Sequence, residues 1–187
     1  MLEVNFNPFP ELETTRFYLR KFTLDDANDV FELRSNPEVM KYIPRPLAIT
    51  VEDAVKHIEL IIKRADENEG INWAIVEKSS KKVIGIIGLF RVIKENYRSE
   101  VGYLLNPKWH NKGVMHEALQ EVIRFGFEDM KLHSIEAIID PGNVASGKLL
   151  LKNKFRKEAS FKQNCFFEGT FYDSEVFSLV KGIDYNI

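Results

Sequence analysis

Between Glu100 and Leu119 the chain reads EVGYLLNPKWHNKGVMHEAL. An apolar stretch, Val101-Gly102-Tyr103-Leu104-Leu105, breaks at Asn106-Pro107, and Asn111-Lys112-Gly113 then opens onto apolar residues at helical spacing. A strand that hands a lysine–glycine turn directly to a helix N-terminus has the makings of a pyrophosphate cradle. The first four backbone N–H groups of a helix lack partners within it, and a glycine at the entrance lets an anion approach the backbone. Each helix-dipole contribution of this kind is worth about 0.3–1 kcal/mol. The same residues also make an ordinary strand–helix connection with a solvated lysine, so the turn alone assigns no ligand.

Other reactive side chains constrain the chemistry mainly by exclusion. His57, His110, His116 and His133 show no metal-ligand spacing with one another or with Cys165, so no metal is expected. Cys165 is the only cysteine and has no intrachain disulfide partner, so nothing calls for an oxidising compartment. The net charge of −2 gives no general attraction to phosphodiester backbones, and no nucleic-acid partner is expected. No apolar run reaches the ~18–20 residues of a membrane span. The N-terminus lacks a basic-then-apolar signal pattern. The expectation is a cytoplasmic protein without a membrane partner, and its slightly acidic balance suits an amine-bearing substrate.

The elements that must position these residues follow from periodicity. The 187 residues suit one domain, spanning 1–187, with 44% apolar and 29% charged residues. Phe17–Phe22 reads as a strand. Thr23 with Asp26, and Thr50 with Asp53, read as capping boxes opening two helices. Between them, Asn36 to Ile49 carries Pro37, Pro44 and Pro46 and reads as a structured loop. The period then changes to that of strands at Asn72–Val76 and Lys82–Phe90, joined by Lys78-Ser79-Ser80-Lys81, with Glu100–Leu105 third in the meander. A helix Gly113–Met130, a strand Ser134–Asp140, a helix opening near Asn143, and strands near Arg156–Phe166 and Phe171–Leu179 complete the chain. Asn143 fits an N-cap, with Ser146 one turn into its helix. A meander followed by helical crossovers predicts a mixed sheet with helices on its faces, an α+β sandwich.

This ordered set resembles the GCN5-related N-acetyltransferases (GNAT), and within them the branch of ribosomal-protein N-terminal (alanine/serine) acetyltransferases. The residues that carry the resemblance are Leu12–Arg20 with Asp25-Asp26-Ala27, then Glu100–Tyr103 with Lys112–Met115 and Glu117–Leu119, and finally Asn143–Ser146 with Lys154-Phe155. It covers nearly the whole chain. It implies a mixed, mostly antiparallel seven-stranded sheet with helices on both faces, in which strands 4 and 5, here Glu100–Leu105 and Ser134–Asp140, splay apart.

The resemblance also implies acetyl-CoA as co-substrate. Its pyrophosphate would sit on the turn His110, Asn111, Lys112, Gly113, Val114 and Met115. Its pantetheine arm would bond to the backbone of Tyr103, Leu104 and Leu105, with Asn143 close to the pantetheine and Ser146 near the cofactor sulfur. The family's turn pattern is Gln/Arg-x-x-Gly-x-Gly/Ala, and here only Gly113 matches strictly; His110 and Met115 depart from it. Ser146 would donate a hydrogen to the leaving thiolate. The branch's usual basic glutamate aligns with Cys165, a poor substitute that is expected to pack as a small hydrophobe. Glu100 becomes the first candidate for the base, with Tyr172 and Asp173 secondary. His116 reads as solvated, and Trp73 and Trp109 as packing residues.

The implied acceptor site lies between roughly Met40–Pro46 and Phe166–Tyr172. The implied acceptor is a protein N-terminal amine, with a small amine such as a polyamine, amino acid or aminoglycoside as the alternative. A non-catalytic acyl-CoA-binding module is the reading from another class, and the resemblance is compatible with a homodimer.

Overall fold

The computed structural model describes residues 1–185. Its strands are β1 (Leu12–Glu13), β2 (Phe17–Arg20), β3 (Ile71–Glu77), β4 (Val83–Ile93), β5 (Arg98–Leu105), β6 (Ser134–Ile139), β7 (Arg156–Phe167) and β8 (Thr170–Val180). Its helices are α1 (Ala27–Arg34), α2 (Pro37–Met40), α3 (Val51–Asp66), α4 (Val114–Arg124) and α5 (Val144–Lys152). The strands form one eight-stranded sheet in the order β1-β2-β3-β4-β5-β6-β8-β7. Only β5 and β6 pair in parallel, and the crossover between them is α4, as a parallel connection requires.

The sheet is buried on both faces by helices. Along β3, Trp73 joins the cluster that contains Ala118, Leu119 and Val122 of α4. Its neighbour Ala74 joins the cluster of Val30 and Leu33 of α1 with Ala54, Ile58 and Ile61 of α3. Successive side chains point to opposite faces of a strand, so β3 and β4 read as continuous apolar runs because they are covered twice. Both capping boxes are present, at Thr23/Asp26 and Thr50/Asp53.

Three expectations are corrected. The sheet has eight strands, because Leu12-Glu13 adds a two-residue edge on Leu19 and Tyr18, too short to show a period in sequence. The proline-bearing loop contains α2, started by Asn36, whose side chain accepts the Glu38 N–H at 2.9 Å, and by Pro37 at the first helical position. The helix opened by Gly113 does not run to Met130 in one register. It ends at Arg124 and continues as a wider turn, Phe125–Asp129, closed by Met130 N–H donating to the Phe125 carbonyl at 2.9 Å.

Candidate functional site

The parallel pair sets the geometry of the site. β5 and β6 pair only at Arg98–Ser134, Ser99–Ile135 and Glu100–Glu136. Beyond Glu100, β5 stays on β4 as far as Leu105 opposite Gly85, whereas β6 stays on β8 as far as Ile139 opposite Glu175. The two strands therefore part after Glu100. The β6-facing backbone edge of Val101–Leu105 has no strand against it, and a cavity of about 480 Å³ lies beside it. Glu100, Tyr103, Leu104, Asn143, Ser146 and Cys165 all line that cavity.

Glu100 sits where the strands part and is only 6% exposed. Burial pushes its carboxyl above the usual range; Arg91 opposes that shift and neighbouring Glu136 adds to it. Arg91 Nη1 donates to Glu100 Oε2 at 2.7 Å, while Arg98 pairs with Glu136 at 3.2 Å. Arg91 reaches Glu100 through an irregularity in β4 between Phe90 and Ile93, where its own φ is 50°. A bulge of this kind commonly re-aims a side chain beside a functional site, and a left-handed non-glycine residue carries strain of about 1–2 kcal/mol.

Across the cleft, Asn143 caps α5 by accepting the Ser146 N–H at 3.1 Å. This cap fixes the first turn of α5 and holds Ser146, 6% exposed, against β5. The Ser146 hydroxyl lies 2.7 Å from the Tyr103 hydroxyl. Burial pushes the Tyr103 phenol up to about 12, so it stays protonated near neutral pH. Sequence reasoning gave Tyr103 a backbone role; the structure also pairs its side chain with Ser146. That contact joins residues 43 apart in sequence, and no local pattern announces it.

The phosphate turn lies outside this cavity, at the far end of β5. Gly113 caps α4 with φ 73°, and no side chain occupies the cap. A Cβ at Gly113 would meet only the Arg16 guanidinium, at 3.5 Å, so the approach to the helix N-terminus is open. Arg16 steadies the turn, donating to Glu117 at 2.7 Å and to the Lys112 carbonyl at 3.0 Å. Lys112 Nζ lies 5.1 Å from the Trp109 ring centroid, and Asn111 has φ 59°. Met115 is 8% exposed and Val114 1%, both within the core. The departure from glycine or alanine at Met115 is thus a side chain turned away from the cradle, leaving the backbone N–H groups clear. His110 Nε2 contacts the Leu105 carbonyl at 3.2 Å and so ties the end of β5 to the turn. His116 is half-buried and contacts Asn153 Oδ1 at 3.0 Å, which corrects its reading as a solvated residue.

A second cavity of about 590 Å³ adjoins the first, bounded by Met40–Leu47 and by Phe167, Glu168 and Tyr172–Ser174 of the last hairpin. Cys165 borders both cavities and is half-buried, so it is a cavity-wall thiol rather than a core one. Asp173 is occupied with backbone shape: it accepts Lys162 Nζ at 2.7 Å and the N–H of Gln163, a residue with φ 50°, at 2.9 Å. Trp73 is fully buried, edge-on to Phe9 and Phe125, and Trp109 packs edge-on to Phe17. Among the described residues no group of three or more His, Cys, Asp or Glu side chains is placed to hold a metal ion. No helix among them is long and apolar enough to cross a membrane.

The arrangement defines a class: a split sheet with an open strand edge, a phosphate-ready helix N-terminus at one end and a buried carboxylate and hydroxyl pair at the other. These features suit an extended phosphate-bearing donor threaded between strands. A family model described as "Acetyltransferase (GNAT) domain" matches residues 16–156, and the chain belongs to that acetyltransferase family. The uncharacterized N-acetyltransferase YoaA of Bacillus subtilis is 36% identical over 173 residues, covering 92% of this chain and 98% of that protein. The crystal structure of a GNAT-family acetyltransferase from Bacillus anthracis superposes with a TM-score of 0.81 at 29% identity, over 91% of this chain and 98% of that one. The ribosomal protein uS5-alanine N-acetyltransferase of Escherichia coli is 30% identical over 102 residues, 54% of this chain and 53% of that protein.

Proposed function

We propose that the protein transfers an acetyl group from acetyl-CoA to a primary amine by direct attack within a ternary complex. The observation that carries this reading is the convergence of Glu100, Tyr103, Asn143 and Ser146 on one cavity where the β5 edge is unpaired. GNAT acetyltransferases use acetyl-CoA, which supplies an activated acetyl thioester and a thiolate leaving group. The residues present fit it. The backbone of Tyr103–Leu105 lies on a strand edge that β6 leaves uncovered, and the turn His110–Met115 offers the open N-terminus of α4.

An alkylamine is largely protonated at neutral pH, with a reference pKa near about 10. Glu100 takes that proton, and its burial makes it a stronger base than a solvated carboxylate. Tyr103 and Ser146 form a hydroxyl pair in which Tyr103 donates to Ser146 and Ser146 donates to the departing sulfur. Asn143 holds Ser146 in place through its N-cap bond.

The acceptor is read first as a protein N-terminal amine, on the likeness to the uS5-alanine acetyltransferase. A small-molecule amine is the second reading, favoured by a cavity partly roofed by Tyr42–Arg45. Calorimetric titration with acetyl-CoA, followed by a screen of N-terminal peptides and small amines for release of free CoA, tests the function. Binding at one site per chain with turnover of an amine is the expected result. Binding without turnover of any amine would contradict catalysis and favour a carrier module.

A further inference from the structure

The acceptor half of the main cavity carries a charge that acetyl transfer itself does not use. Arg34 at the end of α1, Arg45 in the loop after α2, and His57 and Arg64 on α3 all line it. Among the described residues none of these three arginines has a carboxylate within ion-pair distance, unlike Arg91, which is committed to Glu100. The full inventory of ionic groups on this wall is four arginines (Arg34, Arg45, Arg64 and Arg91) against Glu100 and Asp140. The chain as a whole carries a net charge of −2, so this concentration of positive charge is local.

The three free arginines are near one another. Burial and Arg45 lower the Arg34 pKa, and burial together with Arg34, Arg45 and Arg64 pulls His57 down to about 3. His57 is therefore a neutral imidazole among cations. Arg45 also acts on Glu100, lowering its pKa, so the cluster lies within electrostatic reach of the proposed base. Arg34 is half-buried while Arg45 and Arg64 are exposed, so three cations without carboxylate partners among the described residues face one cavity and are open to a counter-charge from solution. A second, independent feature lines the same cavity from β8. The Ser174 hydroxyl is buried, its residue 6% exposed, has no hydrogen-bond partner, and borders both cavities.

The phosphates of the donor have their own provision at the α4 turn, which borders neither cavity. We infer that the acceptor is a small amine that also carries a compact anion, a carboxylate or a phosphate, held by Arg34, Arg45 and Arg64 while its amine faces Glu100. The inference rests on the proposed acetyl transfer at this cavity and names the acceptor class. It disfavours polyamines and aminoglycosides, whose extra positive charges would meet these arginines, selects the amino-acid-like member of the small amines, and places that acceptor ahead of a protein N-terminal amine. A planar guanidinium suits both anions through paired N–H donors, so carboxylate and phosphate share one recognition chemistry.

The test is calorimetric binding of matched pairs to the full chain: β-alanine against β-alaninamide, and O-phosphoethanolamine against ethanolamine, each with and without saturating CoA. At least one anionic member should bind about tenfold or more tightly than its partner, as a charge-assisted pair worth 1.4 kcal/mol would give. The two pairs distinguish carboxylate from phosphate. Arg45→Gln, on an exposed loop, and Arg64→Gln, on an exposed helix position, should each erase most of that preference while acetyl-CoA affinity stays unchanged. Equal binding within both pairs, tighter binding of the neutral or cationic members, or a preference that survives both substitutions overturns the inference. Loss of acetyl-CoA affinity in either variant also overturns it, since the arginines would then serve the donor. Failure of acetyl transfer itself shows separately, as bound acetyl-CoA that no amine discharges.

Discussion

At the scale of single residues, the proposed mechanism divides its labour between one buried acid, Glu100, and two hydroxyls, those of Tyr103 and Ser146. Glu100 is raised by burial and held from rising further by Arg91 at 2.7 Å. Removing the guanidinium in Arg91→Gln leaves Arg45 to oppose burial and Glu136, so the Glu100 pKa rises. The acidic limb of the kcat/KM pH profile then moves to higher pH, and a limb that stays where it was would separate Glu100 from proton removal. Tyr103→Phe keeps the ring and deletes the contact to Ser146. It should lower kcat about tenfold or more, as Ser146→Ala should, with acetyl-CoA affinity nearly unchanged, since a general-acid path contributes about 10²–10⁴-fold. A loss of kcat in proportion to cofactor affinity in both variants would make the pair structural. Glu100 and Ser146 were reached through the family resemblance, Ser146 also through its place one turn after the Asn143 cap. The Tyr103 hydroxyl and Arg91 were not, because their roles depend on contacts across a cleft and on a bulge that no sequence period encodes.

At the scale of elements, the turn into α4 shows how a motif departure resolves. Met115 looked like damage to the cradle, yet its side chain belongs to the core, and Gly113 opens the helix with no side chain of its own at the cap. The decisive residue is then Gly113 at φ 73°. Gly113→Val demands a left-handed β-branched residue, at a cost of about 1–3 kcal/mol, and places a side chain in the approach. Acetyl-CoA affinity should fall at least tenfold while the thermal midpoint drops only a few degrees, with unchanged affinity arguing against this turn as the phosphate site. The helices themselves were readable from capping boxes and 3.6-residue spacing. β1 and α2 were not, being two and four residues long. His57 and Arg64 had a signal of their own, a separation of seven residues that places them on one face of α3 beside Leu60 and Ile61.

At the scale of the whole molecule, the fold's purpose is a controlled failure of pairing. One parallel contact of three residue pairs holds β5 to β6, and everything beyond it opens into a space reached from two sides. In the proposed reading the donor's phosphates would meet α4 beyond the Leu105 end of β5, and the amine would enter the cavities lined by the Tyr42–Arg45 loop and the last hairpin. Glu100 marks the point where the strands part, so the proposed base lies at the apex of the split. The order of elements was sufficient to expect one parallel junction, because a helical crossover after a meander returns its strand in parallel, whereas the split itself was implied only by the family resemblance. Which charges line the acceptor side was not readable, since Arg34, Arg45 and Arg64 come from three separate segments.

The central claim, that proton removal by Glu100 drives acetyl transfer in this cavity, is tested most directly by Glu100→Gln. Steady-state acetyl transfer across pH should be compared between this variant and the parent chain on the same amine. The account predicts that kcat falls at least ~10²-fold and that the acidic limb disappears, with acetyl-CoA still bound at parental affinity. A change of less than tenfold with the limb intact would contradict it and place the base elsewhere on the cavity wall.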